Sequence, residues 1–321
     1  MALDECGVRS AECGVERLPF VSVVVPARNN ARTIGACLDA LMSQDYPKDR
    51  YEVIVVDRPT ADRTADIVRR YSVTYVPDPV GRGPAAARNL GLEVARGDII
   101  AFTDADCVAS PTWLRRGVEH FTDGVGCVAG ELRAYELRTA AHRYVENRQA
   151  YSQAAWVMSD GEKPFAATAN ALYLRSVFDR IGAFDGWMRT AEDVDLAWRM
   201  QDRLGLKIAY SPEAIVFHQH RESVAALLKQ RQGYGYGWVQ LYLKHRPQLG
   251  PRTLKHTYQD LVRLIRRVRR LAAGCAGWVR AGLRGRREPE PVVQAWLDVL
   301  CYLWWKAGQA QASLRYRVWH L

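Results

Sequence analysis

A chain of 321 residues with 48% hydrophobic and 25% charged content has enough apolar mass for one large core, which excludes a disordered or low-complexity polymer. The formal net charge of +10 is uneven: positions 252–288 hold eleven Lys/Arg against two acids, so the remainder is nearly neutral. No stretch free of Asp, Glu, Lys and Arg is longer than the twelve residues of Gln232–Leu243, too short to cross a bilayer, so no transmembrane helix is expected.

In chain order, residues 1–18 show no charged-then-apolar leader and read as a flexible tail. Val21–Val25 is a β-branched run stopped by Pro26, and Tyr51–Val56 is a second such run ending in Asp57. Between them Ile34, Leu38 and Leu41 recur at helical spacing before a Tyr46-Pro47 stop. A helical stretch over 64–71, a strand over 73–76, a helix over 85–95 and a strand over 99–103 follow. This alternation predicts an α/β chain with a mostly parallel sheet and helices on both faces. Such sheets bind ligands beyond the carboxyl ends of their strands. Three of those ends carry polar clusters: Arg28-Asn29-Asn30, Asp57, and the pair Asp104/Asp106.

Asp104 and Asp106 close the apolar run Ile-Ile-Ala-Phe-Thr. Side chains at i and i+2 project from the same face where the strand ends, so the two converge on one point. Two convergent carboxylates repel unless a cation lies between them, and carboxylates plus substrate phosphates are the usual partners of Mg²⁺ or Mn²⁺. A metal–diphosphate site is the reading this favours.

The order Val-Val-Val-Pro-Ala-Arg-Asn, Val-Ile-Val-Val-Asp, Ala-Ala-Ala-Arg-Asn-Leu-Gly, Ala-Arg-Gly-Asp-Ile-Ile-Ala-Phe-Thr-Asp-Ala-Asp and Ala-Glu-Asp-Val-Asp-Leu-Ala-Trp-Arg resembles family 2 glycosyltransferases over residues 19 to about 237. The resemblance implies a GT-A (Rossmann-like) fold and an inverting transfer from a nucleotide-diphosphate sugar, a UDP-sugar first among them. It implies that Pro26, Ala27, Arg28, Asn29, Asp57, Arg88, Asp104 and Ala105 hold the donor. By the same resemblance Asp104, Asp106 and His218 bind Mg²⁺ or Mn²⁺, and Asp193 is the catalytic base. Two departures concern the nucleobase end: Asn30 stands where the family commonly has Glu, and Arg58 where it commonly has Asp. The Gln-x-x-Arg-Trp signature of processive synthases is missing, so addition of one sugar is expected.

The residues themselves are compatible with those roles. Asp193 begins a helical stretch over 192–203, where acidic side chains are favoured in the first turn, and Glu192 and Asp195 read as its support. His218 and His220 follow an apolar run over 214–217, and a neutral imidazole suits Mn²⁺ better than Mg²⁺. Thr168, Asn170 and Trp187 fit an acceptor pocket or ordinary packing equally well. Gly233, Gly235 and Gly237, interleaved with Tyr234, Tyr236 and Trp238, read as a mobile aromatic loop or a turn.

The last third differs in character. Leu261, Leu264, Ile265, Val268 and Leu271 recur among arginines as a basic amphipathic helix. After Pro289 and Pro291 a second helix puts Val293, Trp296, Leu297, Leu300, Leu303, Trp304 and Ala307 on one broad face. Such segments lie on anionic membrane surfaces, and no nucleic-acid motif accompanies the charge. Seven scattered cysteines give neither a disulfide framework nor zinc-ligand spacing, which fits a reducing compartment. The expected organisation is a tail (1–18), a catalytic domain (19–237) and a basic helical region (238–321). The expected setting is the cytoplasm, peripheral at the inner face of the membrane, with a lipid-linked or saccharide acceptor. Two alternatives compete: a non-catalytic nucleotide-binding protein that docks on membranes, and a nucleotidyltransferase, which shares the metal site but releases pyrophosphate.

Overall fold

The computed structural model describes residues 18–159, 163–283 and 289–318. The expected tail therefore lies outside the described residues except for Leu18, as do Arg284, Arg286 and Arg287 of the basic stretch. The chain divides into two compact units. The first comprises the chain up to Tyr135 with Tyr151–Gly186 and Asp193–Gln219; the second comprises Glu136–Ala150, Trp187–Glu192 and the chain from His220.

The elements of the first unit begin β1 (Val21–Ala27), α1 (Ile34–Met42), β2 (Tyr51–Asp57), α2 (Thr64–Val68), β3 (Thr74–Pro77), α3 (Pro84–Val94), β4 (Ile99–Thr103), β5 (Cys107–Ala109), α4 (Trp113–Val118) and β6 (Val125–Ala134). After α5 (Ala140–Asn147), which belongs to the second unit, come α6 (Gln153–Val157), β7 (Asn170–Leu174), α7 (Arg175–Ile181), α8 (Glu192–Leu204) and β8 (Lys207–His218). One eight-stranded sheet runs in the order β3-β2-β1-β4-β7-β6-β8-β5.

The half formed by β3, β2, β1 and β4 is parallel, as the βα alternation dictates. The other half is mixed: β7 is antiparallel to both β4 and β6, β6 is parallel to β8, and β5 is antiparallel to β8. Every residue of β4 is buried, and since alternate side chains face opposite sides, both faces of the sheet are covered. Burying Val23, Val24, Ile54, Ile99 and Phe102 completely stabilises the sheet by roughly 1.5–3 kcal/mol each before entropy is counted. The registers Ala27↔Asp57 and Val24↔Phe102 set the carboxyl ends of β1, β2 and β4 side by side.

The second unit consists of α5 with α9 (Val224–Leu249), α10 (Leu254–Leu283) and α11 (Glu290–Tyr316). The boundary expected at residue 237 lies inside α9, and so does the whole glycine–aromatic alternation, which is neither a mobile loop nor a turn. Two of its glycines serve close packing: a Cβ on Gly235 would sit 2.0 Å from the Trp305 carbonyl oxygen of α11 and one on Gly237 2.0 Å from the Thr190 hydroxyl, and on α11 one on Gly308 would sit 2.0 Å from the Gln232 carbonyl oxygen of α9. Backbones this close leave no room for a side chain, so glycine is required by sterics although it weakens an isolated helix. α10 runs antiparallel to α11: the Tyr302 hydroxyl donates to the Asp260 carbonyl oxygen (2.8 Å), Lys306 reaches the Asp260 carboxylate (2.5 Å), and Arg267 and Arg270 flank Asp298 (3.5 and 3.6 Å). No helix among the described residues is long and apolar enough to cross a membrane.

Candidate active site

The site is built where β1, β2 and β4 end. After β1 the chain turns through Asn29, which adopts a left-handed backbone (φ 56°) open to asparagine at small cost. The turn is pinned by short polar bonds: the Arg28 N–H donates to the Asn30 side-chain oxygen (2.8 Å), the Asn30 N–H to the Thr64 hydroxyl (2.9 Å), and the Ala31 N–H to Asp62 (3.1 Å). Asn30 is thereby occupied with shaping the loop, and Arg28 and Asn29 are left exposed at its tip. Pro26 and Ala27 contribute the strand end beneath them.

Asp57 closes β2 and is buried, with 1% of its surface exposed. The Tyr75 hydroxyl on β3 donates to its Oδ2 (3.1 Å), while its Oδ1 is buried with no hydrogen-bond partner. Burial raises its carboxyl above the ordinary range, against the lowering effect of the Tyr75 bond. Arg58 turns the other way and donates to the Gly81 carbonyl (3.2 Å), so it anchors the loop before α3. Tyr75 carried no sequence signal: its role depends on the pairing of β2 with β3.

Asp104 and Asp106 do not continue β4. Residues 104–106 form a turn, closed by the Cys107 N–H donating to the Asp104 carbonyl (3.0 Å), and β5 starts at Cys107. The i, i+2 rule for a strand therefore does not apply, and each carboxylate has its own neighbour. Asp104 accepts from Arg88 (2.9 Å), a buried guanidinium on α3 that also lies over the Phe184 ring (5.9 Å). Asp106 faces β8, because β5 pairs antiparallel with it in the register Cys107↔His218. His218 Nε2 lies 3.7 Å from Asp106 Oδ1, and its ring packs on Tyr151 at 5.4 Å. Ala105 is buried between the two acids.

Asp106, Cys107 and His218 each offer a ligand atom, all within 4.8 Å of one another. A carboxylate and an imidazole suit a divalent cation such as Mn²⁺. The Cys107 thiol is pushed up well above its ordinary value by burial first and by Asp106 and Asp104 next, so it is held protonated and is a poor partner for a hard ion. Asp104, on Arg88, lies outside that group of three.

Asp193 stands in the first turn of α8, two residues after Ala191, whose positive φ (67°) is unfavourable for a residue with a Cβ. The Val194 N–H donates to its Oδ1 (2.9 Å). Burial raises its carboxyl above the ordinary range; Arg88 and the Val194 and Thr168 backbone N–H groups oppose the rise without cancelling it. Arg88 thus acts electrostatically on both Asp104 and Asp193. Asp195, fully buried, accepts from Arg199 (2.8 Å), which in turn donates to the Ile181 and Ala183 carbonyls (2.8 Å each) and fixes the approach to α8. Asn89 ties the same segment to α3 by exchanging two bonds with the Phe184 backbone (2.8 and 3.0 Å).

Of the three acceptor-pocket candidates, Asn170 is a packing residue: it accepts from the Trp113 indole (2.7 Å) and donates to the Glu131 and Ala214 carbonyls (2.8 Å each). Thr168 is buried beside Asp193. Trp187 is half exposed and packs on Tyr316 (5.4 Å) within the second unit.

Residues 22–182 match the model of the family described as Glycosyl transferase family 2. The chain is 34% identical over 240 residues to glycosyltransferase AglE of Haloferax volcanii, covering 72% of this chain and 77% of that one. It is 30% identical over 264 residues to a probable glycosyltransferase, YdaM, of Bacillus subtilis, covering 77% of this chain and 62% of that one. The fold is similar to a Pyrobaculum calidifontis mannosyltransferase in complex with GDP-Man and Mn²⁺ (TM-score 0.63, 23% identity, 92% of this chain and 87% of that one). It is also similar to a Mycobacterium tuberculosis glucosyl-3-phosphoglycerate synthase in complex with Mn²⁺, uridine diphosphate and phosphoglyceric acid (TM-score 0.50, 22% identity, 68% of this chain and 76% of that one).

Proposed function

The chain belongs to glycosyl transferase family 2, and on that premise we propose that it inverts the anomeric centre while moving one sugar from a nucleotide-diphosphate donor to an acceptor hydroxyl. The observation that carries this reading is the position of Arg88, whose buried charge acts on Asp104 and on Asp193 alike. One cation links the end of the site that meets the donor to the carboxylate that meets the acceptor. As a glycosyltransferase the chain is an enzyme, and the non-catalytic and nucleotidyltransferase alternatives fall away.

In the transfer the acceptor oxygen bonds to the anomeric carbon, the bond from that carbon to the diphosphate oxygen breaks, and the leaving diphosphate keeps the electron pair. The acceptor proton passes to Asp193, whose raised affinity for protons suits a base. Arg88 offers a guanidinium to the departing phosphates and exchanges that contact with Asp104. Asp104, Asp106 and His218 would hold a divalent ion, Mn²⁺ before Mg²⁺ given the imidazole. Such an ion, when bound, offsets the charge that develops on the leaving group.

The loop Pro26-Ala27-Arg28-Asn29 and the main chain at Ala105 border the donor, and Asp57 reads its base. The unpartnered, buried Oδ1 of Asp57 is an acceptor that an imide N–H of a nucleobase would satisfy, which supports a UDP-sugar. The acceptor is lipid-linked or saccharide, and the enzyme works in the cytoplasm, peripheral at the inner face of the membrane; the basic helices support this placement.

The test is chromatographic detection of nucleoside diphosphate released from a panel of nucleotide sugars with Mn²⁺ or Mg²⁺. Release that EDTA abolishes and that Asp193→Asn suppresses agrees with the proposal. Wild type and variant equally inert across the panel, or release of pyrophosphate, contradicts it.

A further inference from the structure

We propose that α10 and α11 together form a docking face for an anionic lipid bilayer, an assignment that rests on the peripheral placement above and says which surface makes the contact. The sequence pattern treats Leu261, Leu264, Ile265, Val268 and Leu271 as one apolar side. In the structure they divide. Leu264 and Leu271 turn inward with Asp260 and Arg267, whereas Leu254, Tyr258, Leu261, Ile265, Val268 and Val279 are all exposed, Leu254 at 82% and Tyr258 at 67%. At about 100° per residue these six fall within one narrow stripe, which runs about 37 Å along the helix. A soluble helix keeps such a stripe against its own core and its charges in water; here the packed side of α10 is a different one.

α11 repeats the arrangement. Leu297, Cys301, Gly308 and Ala312 are buried, and the side that carries Trp296, Leu303 and Leu314 is exposed. Gly308 faces the Gln232 carbonyl of α9, which places α9 on the buried side. With α10 antiparallel to α11, as Asp260 against Tyr302 and Lys306 and Asp298 against Arg267 and Arg270 require, both exposed stripes point to the side of the pair opposite α9. Two unpartnered apolar stripes become one surface, larger than isolated exposed residues on a water-facing protein.

Charge decides the occupant. Arg269 and Arg280 border the α10 stripe, Lys255 and Arg266 stand beyond them, and all four are exposed. A second copy of the chain would set the same cations against one another, whereas an anionic lipid surface is attractive to every one of them. Within the pair the two acids are already more than balanced: Asp260 takes Arg252, Arg263 and Lys306, and Asp298 takes Arg148, Arg267 and Arg270. Trp296 is the side chain suited to the headgroup level. An interfacial helix of this kind lies in the membrane plane with its apolar side among the acyl chains and its cations at the phosphates.

The test is flotation of the full chain with phosphatidylcholine vesicles, with and without phosphatidylglycerol, for wild type and the triple variant Leu261→Glu/Ile265→Glu/Val268→Glu. All three positions are exposed, so the variant is expected to fold, checked by an unchanged thermal midpoint. Wild type is expected to float with anionic vesicles and to release as salt shortens the Debye length to about 3 Å. The variant is expected to lose binding by at least about tenfold. Wild type that ignores anionic vesicles overturns the peripheral placement and this face together. Wild type and variant floating equally overturn this face alone, as does a wild-type dimer in light scattering that the variant dissolves without lipid. Nucleoside diphosphate release measured without vesicles, expected to be equal in both proteins, keeps the catalytic reading separate.

Discussion

Replacement of Asp193 by asparagine separates catalysis from stability in a way the structure makes specific. Asparagine keeps the size of the side chain and an oxygen for the Val194 N–H, and removes only the proton acceptor. Loss of a general base costs about 10²–10⁴ in rate, which is about 3–5 kcal/mol of transition-state stabilisation. Stability should move the other way. The folded protein holds Asp193 above its unfolded pKa because burial penalises the charged form, so its protonated form is favoured by folding. That contribution is complete below the unfolded value and is lost as pH rises through the folded value. At neutral pH the aspartate therefore carries a desolvation penalty that asparagine does not, and the variant should melt at the same temperature or higher. Donor affinity should be unchanged or improved, because Arg88 no longer shares its charge with Asp193. In wild type the rate should fall on acidification through a pKa higher than that of an ordinary carboxylate, and the residual rate of the variant should lack that limb. The assay is nucleoside diphosphate release against pH, with a calorimetric melt of each protein. A variant that keeps more than about a tenth of the wild-type rate, or loses rate only because it unfolds, refutes the assignment.

Three further outcomes follow from single contacts. Asp195→Ala leaves the buried Arg199 without its carboxylate and should destabilise the fold by about 3–5 kcal/mol in urea unfolding; a change under about 1 kcal/mol would mean the pair is not the anchor described. Gly308→Ala forces a methyl group against the Gln232 carbonyl and should cost about 1–3 kcal/mol, read as a lower melting midpoint, whereas an unchanged midpoint would contradict the close packing of α9 on α11. Tyr75→Phe removes the one hydrogen bond that lowers the Asp57 pKa, so nucleoside diphosphate affinity should weaken by roughly fivefold, and more in mildly acid buffer than at neutral pH. Calorimetric titration at the two pH values checks this, and equal affinities at both would remove Asp57 from the binding site.

Where local chemistry decides the structure, the sequence was readable. The β-branched run at 21–25, the helical spacing of Ile34, Leu38 and Leu41, and the 99–103 strand all emerge as elements at those positions, because each is determined by a few adjacent residues. Asp193 opens its helix as the acidic first turn suggests. What escaped depends on partners far along the chain. Asp106 meets His218 because Cys107 pairs with it across β5 and β8, and Tyr75 reaches Asp57 only because β3 lies beside β2. The glycines of α9 look like loop residues in isolation, and only the approach of Trp305 to Gly235 and of Thr190 to Gly237 explains those two within a helix. The leucines of α10 follow a helical period, but periodicity does not say which of two apolar sides meets protein.

Central to all of this is the claim that the acids after β4 hold a cation and the donor diphosphate. Calorimetric titration of uridine diphosphate into wild type and into Asp104→Ala/Asp106→Ala, each with Mn²⁺, tests it directly. Manganese-dependent binding is expected in wild type and should disappear in the double variant, which should still melt cooperatively, though at a lower temperature because the buried Arg88 loses its carboxylate. Equal affinity in the two proteins would contradict it.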